Sequence, residues 1–157
     1  MANVVVYVGG GGNNQKYMSA FNASTGGLLW SYAAGGAVWT NPTITNGIAY
    51  FGSLDGNIYA LNASTGAKLW SFSYKTNQFP PPDYETPSAD LTVANGVVYA
   101  GISEADHGYG SLYALNASTG ALLWNSPWSS TDGVSAAPVV ADGVGLFSMR
   151  WIAISLG

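Results

Sequence analysis

Cysteine is absent from the 157 residues, so disulfides and thiolate metal sites are excluded, and every redox compartment stays open. Charge is scarce as well. Charged residues make up 8% of the chain, and 4 Lys and Arg against 8 Asp and Glu leave a net charge of −4. Lys16, Lys68, Lys75 and Arg150 are scattered, whereas neutralising phosphates needs clustered cations, so nucleic acid is not an expected partner. No run approaches the length of about 18 apolar residues that a membrane span requires, and no transmembrane segment is expected. The first residues lack a charged region followed by an apolar one, so any export signal is expected outside this chain. Helical periodicity is missing throughout.

What the chain has is 21 Gly, 6 Trp and 10 Tyr, a composition of turns and aromatic packing that argues against disorder. A compact domain of this size buries roughly 70% of its unfolded surface, enough for a real core. The residues repeat. "AFNASTGGLLW" at 20–30, "ALNASTGAKLW" at 60–70 and "ALNASTGALLW" at 114–124 are nearly the same stretch, and their terminal Trp30, Trp70 and Trp124 lie 40 and 54 positions apart. The 14 additional residues of the longer interval divide into nine between Trp70 and Gly96 and five between Tyr99 and Ala114.

Within one period, β-rich runs at 42–45, 47–53, 57–62 and 67–73 are separated by Asn46-Gly47, Asp55-Gly56 and Ser64-Thr65-Gly66, which read as turns. Four antiparallel strands per 40–50 residues is the unit of a β-propeller blade. The expected class is therefore all-β, with blades of four antiparallel strands: about three blades and a partial one, forming an incomplete ring. In the repeated stretch, Asn62 and Thr65 are suited to hydrogen-bond the turn backbone, and Gly66 to take a conformation that a Cβ disfavours. Trp70 offers a large flat surface and one N–H for packing between blades. All three tryptophans are expected to be largely buried, each near a neighbouring blade or, at an end, an unfilled edge.

The pattern Ala-x-(Asp/Asn)-x-x-Thr-Gly-x-x-x-Trp is carried by Ala20, Asn22, Thr25, Gly26 and Trp30. It recurs as Ala60, Asn62, Thr65, Gly66 and Trp70, and as Ala114, Asn116, Thr119, Gly120 and Trp124. It resembles the tryptophan-docking motif of PQQ-like, quinoprotein-type propeller repeats, over about residues 2–144. The resemblance implies a repeat architecture without implying an activity. Such repeats build PQQ-dependent alcohol and glucose dehydrogenases, a bacterial outer-membrane assembly lipoprotein, and sensor or cell-surface domains without a cofactor. It also implies a periplasmic, cell-surface or extracellular location.

The two ends depart from the pattern. Residues 1–9 align with 94–101, so the first blade is expected to lack its innermost strand, while 136–141 supplies such a strand at the other end. Residues 1–144 are thus read as blades, and 145–157, "GLFSMRWIAISLG", as a divergent or frame-shifted tail. Reading one base later, permitted codons from Arg150 onward can spell Asp-Gly-Ser-Leu-Tyr, close to the "DGNIY" of 55–59. Missing blades are expected either from the same parent polypeptide or from a second chain that exchanges its terminal segments, with self-association through open blade faces.

Several residues have a chemical reading beside a structural one. Asn22, Asn62 and Asn116 each begin Asn-Ala-Ser, an N-glycosylation pattern that is also the turn of the repeat. Glu104, Asp106 and His107 bring the single His beside two carboxylates, a donor set for Ca²⁺ or a transition metal. The stretches 76–90 and 102–110 are inserted loops, the expected place for a protein partner. A PQQ dehydrogenase implies a catalytic Asp, Ca²⁺-ligating Glu and Asn, and commonly an adjacent Cys pair. None has a recognisable match here, and no Gly-x-Ser-x-Gly elbow surrounds a Ser. A binding or scaffold module without cofactor is therefore expected. The alternative is a fragment of a PQQ-dependent alcohol or sugar dehydrogenase, which would use PQQ and Ca²⁺.

Overall fold

The structure, a computed structural model, describes residues 4–10, 16–38, 40–74, 85–87, 91–104, 109–129, 137–141, 144–148 and 153–155. For 85–87, 103–104, 109–110, 127–129, 141, 144–148 and 153–155 it describes the backbone alone. All regular structure among them is strand.

Four antiparallel sheets succeed one another along the chain. Sheet I contains β1 (Val5–Gly9), β2 (Tyr17–Asn22) and β3 (Leu28–Ala33), in that order. Sheet II runs β4 (Thr43–Thr45), β5 (Ile48–Ser53), β6 (Asn57–Asn62), β7 (Lys68–Ser73), each bound within a residue of the run read from the sequence. Sheet III holds β9 (Thr92–Ala94), β10 (Val97–Glu104), β11 (Tyr109–Asn116) and β12 (Leu122–Ser129), with β8 (Glu85–Pro87) also on β10. Sheet IV pairs β13 (Val139–Ala141), β14 (Val144–Ser148) and β15 (Ala153–Ser155).

The hairpin between β4 and β5 turns on Asn46 (φ 50°) and Gly47 (φ 75°), and that between β9 and β10 on Asn95 (φ 52°) and Gly96 (φ 77°). Two consecutive positive φ values give the tight turn whose twist matches the strands. Registers repeat: Tyr7 faces Ala20, Tyr50 faces Ala60 and Tyr99 faces Ala114. The short innermost strands lie side by side, because the Thr43 hydroxyl donates to the Leu91 carbonyl and the Thr92 hydroxyl to the Pro138 carbonyl.

Two apolar seams fill the space between sheets. Met18, Ala20, Trp30 and Val38 meet Phe51, Tyr59 and Leu61 across the first. Tyr50, Ile58, Ala60 and Trp70 meet Val98, Ala100, Ile102, Tyr113 and Leu115 across the second. Sheet II is thus buried on both faces, whereas β1 alternates between half-buried and exposed residues.

One expectation needs correction. The stretch 76–90 was read as an inserted loop, but residues 85–87 form β8, paired antiparallel with Ile102–Glu104. The reason is that β10 and β11 each run eight residues, so β10 extends past the three that β9 covers and offers a further edge. Likewise, most of 102–110 is strand, and the rest of both stretches lies outside the described residues. Within 145–157 the described residues are strand: β14 and β15 continue the antiparallel order begun by β13, as a divergent terminal strand would.

Candidate interaction surface

The repeated stretch folds the same way three times. The Oδ1 of Asn22 accepts the N–H groups of Ser24 and Thr25 at 2.9 and 3.0 Å, Asn62 accepts those of Ser64 and Thr65, and Asn116 those of Ser118 and Thr119. Thr25, Thr65 and Thr119 each accept the N–H two residues on. The side chains thereby satisfy the turn backbone locally. Gly66 and Gly120 both lie at φ 72°.

Each turn of this kind in sheets II and III seats the tryptophan of the preceding sheet. Trp30 Nε1 donates to the Ala63 carbonyl at 3.0 Å and Trp70 Nε1 to the Ala117 carbonyl at 2.9 Å. A Cβ on Gly66 would lie 2.7 Å from the Trp30 ring, and one on Gly120 2.7 Å from the Trp70 ring. Glycine is needed there twice over, for the left-handed backbone and for the close approach. A tyrosine completes each seat. Tyr7 donates to the Ala63 carbonyl and Tyr50 to the Ala117 carbonyl, both at 3.1 Å. Their rings tilt against Trp30 and Trp70 with centroids 5.9 and 5.8 Å apart. Burial pushes the Tyr50 hydroxyl above its ordinary pKa.

The ends differ. Trp124 pairs with Tyr99 at 6.2 Å, but it is 39% exposed where Trp30 and Trp70 are 9% and 8%. The expected burial thus holds at Trp30 and Trp70, while Trp124 stands more open, at an unfilled edge. The physical reason is that 145–157 holds no Asn-x-x-Thr-Gly turn to receive it, and among the described residues none brings a carbonyl to its indole. At the opposite end the turn around Ala23 and Gly26 is formed, and among the described residues nothing lies within 4 Å of a Cβ placed on Gly26. Beside it, Val4, Val6 and Val8 are 61%, 46% and 47% exposed.

A second device clamps the first seam. Asp55 Oδ2 accepts the Gly35 N–H and the Tyr59 hydroxyl, each at 2.7 Å, and Oδ1 accepts the backbone and side-chain N–H of Asn57 at 3.0 Å. Burial, followed by the hydrogen bond and charge of Asp55, pushes the Tyr59 hydroxyl well above its ordinary range. Tyr32 is raised by burial and then by the same charge. Sequence reading took Asp55-Gly56 only as a turn; no spacing rule joins Asp55 to Gly35, twenty positions earlier.

Asp106 and His107 of the candidate metal site lie outside the described residues. Glu104 is described by its backbone alone, opposite Tyr109 and Glu85. Among the described residues no three His, Asp or Glu side chains come together. Asp55, the one carboxylate whose side chain is described, spends both oxygens on internal donors. Among the described residues no helix is long and apolar enough to cross a membrane.

A protein-family model described as "Outer membrane protein assembly factor BamB" matches residues 2–148. No curated protein matches the chain. Among solved structures, the quinohemoprotein alcohol dehydrogenase ADHIIG from Pseudomonas putida HK5 is 27% identical with a TM-score of 0.68, over 81% of this chain and 19% of that one. BamB from Moraxella catarrhalis is 20% identical with a TM-score of 0.68, over 96% of this chain and 40% of that one. The computationally designed Ika4 protein is 18% identical with a TM-score of 0.69, over 99% of this chain and 86% of that one. The chain spans about a fifth of the length of the dehydrogenase and two fifths of that of BamB.

Proposed function

Since the chain belongs to the family of PQQ-like propeller repeats whose model is described as outer membrane protein assembly factor BamB, we propose that it is a non-catalytic binding or scaffold module. Its blades contribute to a ring that is completed by blades from elsewhere, and its contacts are with protein. Repeats of this kind stack as rigid blades, and their surfaces bind while their seams hold shape. The observation that carries this reading is the use of the repeated residues. The Asn and Thr side chains close their own turns, and Trp30 and Trp70 are committed to the next sheet. What remains for a partner is exposed apolar surface, which includes Val4, Val6, Val8, Leu69 and Trp124. The name of BamB attaches a role in assembly to a neighbour with this fold, and an extracytoplasmic location belongs to the same reading.

The likeness to the Pseudomonas putida alcohol dehydrogenase favours a second reading, that these blades are part of a PQQ-dependent dehydrogenase whose catalytic residues lie on other blades. Adding PQQ and Ca²⁺ and following dye reduction with alcohols and sugars separates the two. The scaffold reading expects no turnover above the blank, and turnover by this chain would overturn it.

A further inference from the structure

We infer that Asn22, Asn62 and Asn116 are acceptors of N-linked glycan. Each carries its side-chain amide on a folded turn with an exposed serine two residues on, the pair of groups that glycosyl transfer uses. The inference rests on the extracytoplasmic location in the reading above and adds what decorates the module there. Asn-x-Ser or Asn-x-Thr occurs four times in the chain. Asn41-Pro42-Thr43 has proline in the middle, which excludes transfer, and the other three are the Asn-Ala-Ser of the repeated turns.

The turn divides these residues atom by atom. Each asparagine Oδ1 accepts two backbone N–H groups at 2.9–3.0 Å, and each threonine Oγ1 accepts one. The asparagine Nδ2 and the serine Oγ make no hydrogen bond to any described residue; the asparagines are half-buried, and Ser24, Ser64 and Ser118 are exposed. Closing the turn does not require an amide. A carboxylate accepts the same N–H groups with the help of its charge, and this chain uses one in that way at Asp55, whose Oδ1 accepts the Asn57 N–H two residues on. Nor does the turn require the serine hydroxyl. The two groups that the fold leaves idle in every copy are thus the amide nitrogen, which is the nucleophile of glycosyl transfer, and the hydroxyl two residues on, which a transferase reads.

The co-substrate is a sugar joined through its anomeric carbon to a diphosphate. Nδ2 bonds to that carbon while the bond from the carbon to the diphosphate oxygen breaks; the diphosphate leaves with the electron pair, and one amide proton passes to a base of the transferase. No oxidant or reductant enters. The product is still an amide, so Oδ1 keeps both of its N–H bonds and the turn survives the modification. The acceptors also share one end of their sheets. The Ala63 and Ala117 N–H groups donate to the Gly47 and Gly96 carbonyls, which places these turns beside the Asn46-Gly47 and Asn95-Gly96 hairpins. β8 pairs with Ile102–Glu104 at the opposite end of β10. Glycan at the first end leaves the second bare for a protein partner.

The test is intact mass and peptide mapping of the full chain purified from the cells that make it, with its location scored by fractionation. Saccharide is expected on Asn22, Asn62 and Asn116 and not on Asn41. Ser64→Ala should lose it at Asn62 alone, and Ser64→Thr should keep it. As unglycosylated chains, Ser64→Ala and wild type should unfold at the same urea concentration, because the hydroxyl is idle in the turn. Saccharide retained at Asn62 in Ser64→Ala, saccharide on Asn41, or a lowered midpoint in Ser64→Ala would each overturn the inference. Bare asparagines on an exported chain would overturn it and leave the scaffold reading standing. Confinement to the cytoplasm would overturn it together with the location on which it rests, whereas turnover with PQQ would overturn the scaffold reading alone.

Discussion

Trp70 and Trp124 end the same repeated stretch, stand on equivalent outer strands and tilt against equivalent tyrosines, yet one is buried and the other is 39% exposed. The difference lies in the neighbour that each indole meets. Trp70 meets a turn with a glycine and the Ala117 carbonyl, and among the described residues Trp124 meets no such turn. Local sequence therefore sets the strand and the aromatic pair, while the neighbouring blade decides whether the indole becomes core. The comparison between sheets says the same: β5 is buried on both faces, whereas β1 is half-buried on one and exposed on the other.

The largest effect should come from removing the buried ring. Trp70→Ala is expected to cost about 3–5 kcal/mol in urea unfolding, from the cavity and the lost hydrogen bond, with Trp30→Ala close behind. Trp124→Ala, measured at a concentration where the chain is monomeric, should cost about 1 kcal/mol or less, because half-exposed surface is all it gives up. Equal losses at all three positions would break the comparison. Next in size is Gly120→Ala, at about 2–4 kcal/mol, since it adds both left-handed strain and a Cβ 2.7 Å from the Trp70 ring. In the monomer, Gly26→Ala should show only the strain, about 1 kcal/mol.

The turn itself is the same at the end and in the seam, and so should be its energetics. Asn22→Ala and Asn62→Ala are expected to cost alike, about 1–2 kcal/mol each, because both lose two local N–H acceptances. A much larger cost at Asn62 would mean that the side chain acts across the seam. The smallest effect is an alkaline one. Tyr59 holds its proton more tightly folded than unfolded, where tyrosine titrates near about 10. Its contribution is complete below that value and is lost as pH rises above it. In a pH series of unfolding midpoints, Tyr59→Phe should flatten the decline above about pH 10, with Tyr32 and Tyr50 supplying what slope remains.

Much of this was legible before the fold. The strands of sheet II could be read to within a residue, because Asn-Gly and Thr-Gly turns mark their ends and a period of forty residues repeats the signal. The seat of each tryptophan was legible only as packing between blades, since nothing local says that its N–H reaches the Ala63 or Ala117 carbonyl, 33 or 47 positions away. The Asp55 clamp was missed for the same reason. β8 was hidden by the prolines of its surroundings, which read as an extended loop; its pairing depends on the extra length of β10, a property of another segment.

The central claim is that the repeated stretch works by seating one blade's tryptophan on the next blade's turn, and a double-mutant cycle between Trp70→Ala and Gly120→Ala tests it most directly. With the ring gone, a Cβ at position 120 has nothing to strike, so the cost of Gly120→Ala should shrink to its backbone strain and the cycle should show a coupling of at least about 1 kcal/mol. Additive losses would contradict the account.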